Sequence, residues 1–80
     1  MGLDDNEMKG LRLFPNPVDE ILTIYSEYEI FTIEIFDIIG KKIFEAENLN
    51  SINVRHFEEG IYLLNISSGI YKHSKLFIKK

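Results

Sequence analysis

Seven short apolar runs, the β-branched and aromatic residues that fill them, and turn residues at each break predict an all-β fold, an antiparallel β-sandwich of about seven strands. Within the runs apolar and polar side chains alternate, the period of a strand that turns one face to a core. Runs this short and this closely spaced suit two sheets packed face to face.

Residues 1–10 carry Asp4, Asp5 and Glu7 and read as a flexible acidic leader or linker ahead of a single domain over 11–80. The first strand is expected over 11–14. It must stop at Pro15 and Pro17, which fix their own φ, remove two backbone donors and push Phe14 and Asn16 into extended conformations. The second spans 21–26, with Leu22 and Ile24 on one face and Thr23 and Tyr25 on the other. The third, over 31–37, sets Phe31, Ile33 and Ile35 against Thr32 and Glu34. A helix over 27–36 would scatter Ile30, Ile33 and Ile35 around its surface, and isoleucine loses rotamer freedom in a helix. Asp37-Ile38-Ile39-Gly40 reads as a type I turn closed by a glycine at positive φ. Strands over 41–47 and 51–54 follow. Glu58-Glu59-Gly60 turns the chain into a strand over 61–67, and Ser67-Ser68-Gly69 makes a hairpin with a last strand over 71–78.

Eighty residues hold one core, and a chain of this size buries only about 60–65% of the surface its unfolded form exposes. Apolar residues make up 45% and charged residues 28%, an ordinary balance for a folded domain. With no cysteine there is neither a disulfide framework nor a thiolate metal site, so packing must hold the fold. The net charge of −4 argues against nucleic acid as a partner. That charge is unevenly spread. Residues 1–50 hold eleven acids and four bases, whereas residues 51–80 hold two acids and five bases. A basic last strand is either an edge guarded by lysines against aggregation or a surface presented to a partner. No apolar run approaches the length of a transmembrane helix, and residues 1–10 lack the apolar segment of a signal peptide. An export signal would therefore belong to a parent chain. Met1-Gly2 has the form of an expression scar.

The catalytic inventory is close to empty. His56 and His73 have no partnering motif and read as strand or surface residues. Asp4, Asp5 and Glu7 lack the glycine and spaced ligands of a calcium loop. Asp19 and Glu20 follow the proline turn and are placed to bond it. No glycine-rich phosphate loop occurs, and no cofactor or metal is called for. Four tyrosines and six phenylalanines at period-2 spacing are core and cross-strand material; exposed tyrosines would instead make a sugar-stacking platform.

Five segments taken together carry a resemblance. They are Leu11-Arg12-Leu13-Phe14-Pro15-Asn16-Pro17-Val18-Asp19 with Ile21-Leu22-Thr23-Ile24; Ile33-Glu34-Ile35-Phe36-Asp37-Ile38-Ile39-Gly40-Lys41-Lys42-Ile43; Ile52-Asn53-Val54; Glu59-Gly60-Ile61-Tyr62-Leu63-Leu64-Asn65-Ile66; and Lys75-Leu76-Phe77-Ile78-Lys79-Lys80. In this order and spacing the chain, from about residue 11 to 80, resembles the type A C-terminal sorting domains of proteins exported by the type IX secretion system. Each piece alone is common. The departures are Ile61 before the motif tyrosine and His56-Phe57 where a Leu-x-x-Leu-like segment is more usual.

The resemblance implies an Ig-like β-sandwich at the extreme C-terminus of secreted parents, directing their passage across the outer membrane of Gram-negative bacteria. It further implies removal by a sortase that attaches the parent to surface lipopolysaccharide, with outer-membrane translocon and sortase components as partners, and a final location at the cell surface or in the medium. Pro15, Asn16, Pro17, Asp19, Gly40, Gly60, Tyr62 and Lys75 occupy motif positions. Turn geometry and packing account for most of these. Lys75, Lys79 and Lys80 are the expected contacts to the machinery, because a charged edge strand has no packing duty. The competing expectation is a carbohydrate- or protein-binding module retained in the mature secreted protein. An enzyme is supported by no residue pair.

Overall fold

The computed structural model describes residues 11–27, 29 and 32–80. The leader over 1–10, Tyr28 and the expected strand start at Phe31 lie outside the described residues. Seven strands form: β1 (Arg12–Phe14), β2 (Ile21–Tyr25), β3 (Thr32–Phe36), β4 (Lys42–Glu47), β5 (Ser51–Asn53), β6 (Gly60–Ser68) and β7 (Tyr71–Lys79). They pair, entirely antiparallel, into a three-stranded sheet β1-β2-β5 and a four-stranded sheet β4-β3-β6-β7. With β4 beside β3, the order is that of an Ig-type sandwich whose C′ strand joins the sheet of C, F and G.

The predicted alternation sets the faces. Leu22 and Ile24 from β2 and Ile52 from β5 meet Ile33 and Ile35 from β3, Tyr62, Leu64 and Ile66 from β6 and Phe77 from β7 in one buried cluster. Leu11, Val18 and Val54 close it, and Leu13, Phe44 and Phe57 pack against its margin. Burying each such side chain contributes about 1.5–3 kcal/mol, set against the backbone entropy of about 1–2 kcal/mol per ordered residue.

Strand ends depart from expectation by one residue or so. Leu11 is buried but precedes β1. β6 takes in Gly60 and continues through Ser68, because Ser67 and Ser68 pair with Lys72 and Tyr71; the connection is therefore Gly69-Ile70, two residues shifted from the serine-led turn. The Asp37 turn forms as read. Gly40 N–H donates to the Asp37 carbonyl at 3.0 Å, and Gly40 sits at φ 92°. The Asp37 carboxylate accepts from Ile39 N–H at 3.1 Å and Lys41 N–H at 2.9 Å, holding the loop from inside. A bulge follows, since Ile35 pairs with Phe44 while Phe36 pairs with Lys42, which leaves Ile43 over.

Candidate functional site

β7 is one edge of the four-stranded sheet. Its alternation puts His73, Lys75, Phe77 and Lys79 on the core-facing side and Lys72, Ser74, Leu76 and Ile78 on the outer side. Residues 71–80 hold four lysines and neither Asp nor Glu. At the opposite edge, Lys42, the first residue of β4, lies 2.7 Å from Glu45 and 3.3 Å from Glu34, whose hydrogen bonds hold its ammonium above the usual lysine value. Among the described residues no acid neutralises Lys72, Lys75, Lys79 or Lys80 in this way.

The C-terminal end of that edge is occupied by the chain's own proline segment. Val18 runs parallel to Lys79: its N–H donates to the Ile78 carbonyl at 2.8 Å, and Lys80 N–H donates to the Val18 carbonyl at 3.0 Å. Asn16 Oδ1 accepts from Ile78 N–H at 2.9 Å. Pro15 and Pro17 have no N–H to donate to that edge, and the Asn16 side chain adds an acceptor for it. Both X-Pro bonds, Phe14-Pro15 and Asn16-Pro17, are cis. Val18 is fully buried. The segment over 16–18 is thus a short strap that ties the beginning of the domain to its last strand.

The three lysines singled out from the sequence do not share one environment. Lys75 is half-buried at a groove it lines with Arg12, Leu13, Tyr25 and Glu27. Lys79 is only 7% exposed, its ammonium donating to the Lys80 carbonyl at 2.7 Å. Lys80 is exposed. The premise that a charged edge strand has no packing duty therefore fails at Lys79, which is buried in a strand segment paired with Gly60 on one side and Val18 on the other.

The motif residues divide by what they touch. Pro15 and Pro17 frame the strap, and Asn16 bonds β7. Asp19 and Glu20 do not bond the proline turn: among the described residues neither carboxylate takes a hydrogen bond, and Glu20 contributes its backbone carbonyl to Val54 N–H at 2.7 Å. Both side chains are exposed. Gly40 closes the β3–β4 turn, and Gly60 opens β6 at φ 153°, where a side chain would be strained. Tyr62 is core. Its ring stacks on Phe77 at 5.5 Å between centroids and lies 5.2 Å from Phe57, while its hydroxyl donates to the Glu58 carbonyl at 2.5 Å. Phe57 is thereby part of the core's margin.

Burial pushes the Tyr62 phenol above its ordinary value of 10.0, and the charges of Glu58 and Asp37 push the same way. The neutral phenol is favoured in the fold, so its contribution is whole below about pH 10 and is lost as pH rises through the folded value, where the unfolded chain ionises first. Tyr62→Phe should lose about 1 kcal/mol at neutral pH with the hydrogen bond and should flatten the alkaline decline. Urea unfolding from pH 7 to 11 measures both; an unchanged alkaline slope would contradict the assignment.

No metal-ligating cluster occurs among the described residues. His56 is exposed in the loop before β6, whereas His73 pairs with Ile66 toward the far end of that strand, so no imidazole pair forms. Of the tyrosines, Tyr62 is buried, and Tyr25 and Tyr71 are about half exposed. The role of Val18 was missed in the sequence. Its signal was faint: it is the first residue after the prolines with both a backbone donor and an apolar side chain. No helix among the described residues is long and apolar enough to cross a membrane.

Compared with known families, residues 12–80 match the family model described as secretion system C-terminal sorting domain. No curated protein matches the chain.

Proposed function

The chain belongs to the secretion system C-terminal sorting domain family, and from that premise we propose that it is the export address of a parent protein, read by the type IX machinery as a folded shape. A sorting domain of this kind marks its parent for export across the outer membrane, to the surface or beyond. The observation that carries the reading is the match over 12–80, most of the chain, on a two-sheet sandwich. The finer steps of the proposal are recognition by outer-membrane translocon components of a Gram-negative bacterium, then removal by a sortase on surface attachment. Lys75 and Lys80 are offered as contacts to that machinery, and Lys79 as a residue that shapes the strand presenting them. A cut is expected within or before residues 1–10, since a polar linker enters a protease site more readily than a hydrogen-bonded strand does.

The test is a secreted reporter carrying the 80-residue chain at its C-terminus, in a bacterium with a working type IX system. Surface or culture-medium reporter is expected with the domain, and periplasmic reporter without it. Equal export of both would sink the reading. Mass spectrometry of the surface-attached reporter then separates the two fates. Loss of the domain supports sortase removal, whereas full retention favours an accessory module that binds carbohydrate or protein.

A further inference from the structure

The hydrogen bonds of the strap show which backbone groups of β7 face away from β6. Ile78 and Lys80 send theirs outward to Asn16 and Val18. Residues on a strand alternate in this respect, so Lys72, Ser74 and Leu76 point their N–H and carbonyl groups to the same outer side. Among the described residues no strand pairs with β7 there. Among the described residues the outer edge is therefore closed over 78–80 by the chain itself and open over 72–76.

An open edge is a template for another strand, and natural edges of this kind are blunted or used. Here its chemistry selects the occupant. Lys72 and Lys75 lie in this stretch, one on each face, and among the described residues neither forms an ion pair with an acid. A second copy pairing edge to edge would gather the lysines of both copies along one seam with no acid between them, which is unfavourable. An acid-bearing strand would neutralise both. Leu76, 61% exposed and opposite Leu63 of β6, adds an apolar neighbour. We propose that residues 72–76 receive one short strand of a protein partner with acidic side chains on both faces and an apolar one beside Leu76, and that the strap over 16–18 sets where this added strand must end. The inference rests on the sorting reading and names the partner chemistry of its basic strand.

Proline separates pairing from side-chain contact. At 74 or 76 it removes an outward N–H and leaves the ladder to β6 intact, a position edges tolerate. In the reporter carrying the 80-residue chain, Ser74→Pro and Leu76→Pro should each cut surface export ten-fold or more, while Ser74→Ala exports within two-fold of the parent sequence. Circular dichroism establishes that the proline variants fold; if folded and exported normally, they overturn the proposal. Should they not fold, in-cell photo-cross-linking from position 72 decides, with position 45 on the opposite edge as reference. A cross-link specific to 72 and mapped to an acidic segment of one partner protein supports the added strand. Equal cross-linking at both edges, a second copy of this chain, or a segment without acids overturns it. The sorting reading fails separately, when the reporter without the domain is exported as well as with it.

Discussion

Phe77→Ala is expected to cost about 3–5 kcal/mol and to leave much of the domain unfolded. Phe77 is fully buried, three residues from the end of the chain, and its ring stacks on Tyr62. Truncation removes that ring and opens a cavity that a strand hydrogen-bonded to β6 on one side and strapped by Val18 on the other cannot collapse to fill. A domain of this length has a total stability of about 4–12 kcal/mol, so one such loss takes a large share. Urea denaturation measures it; a loss below about 1 kcal/mol would show that the last strand is not part of the core. One consequence bears on export. Removing residues 77–80 would destroy the fold together with the address, so it cannot tell a lost contact from a lost shape. Substitutions on the outer side of β7 can.

Val18→Asp is expected to be comparably damaging, by about 3 kcal/mol or more, for a different reason. Val18 has no exposed surface, and a carboxylate there must be buried without a partner or expelled with the strap. Expulsion frees the Ile78 carbonyl and the Lys80 N–H and moves Asn16 from Ile78. Amide hydrogen exchange should show fast exchange at Ile78 and Lys80, with β2, β3 and β6 less affected if the strap opens on its own. Protection unchanged at Ile78 and Lys80 would mean that the strap contributes little to holding β7.

The strands were legible because the alternation that buries them is local. Leu22 and Ile24, or Ile33 and Ile35, cannot face one core without Thr23 or Glu34 facing away. The Asp37 turn was legible too, since its carboxylate bonds amides only two and four residues on. The basic last strand was visible as a run of lysines, but their fates were not. Lys79 and Lys80 are neighbours, yet one is buried and the other exposed: alternation turns them to opposite faces, and Val18, sixty-one residues before Lys79 in the chain, pairs beside Lys79.

What the amino-acid order determined by itself is the set of elements and their inward faces: seven strands, their turns and the apolar positions that pay for folding, each governed by neighbours within a few residues. Which edges remain open was decided only by the tertiary structure. Proline can mark a break in the chain, but whether Asn16 and Val18 then reach β7 depends on how two sheets twist and pack, a long-range condition that no local pattern carries.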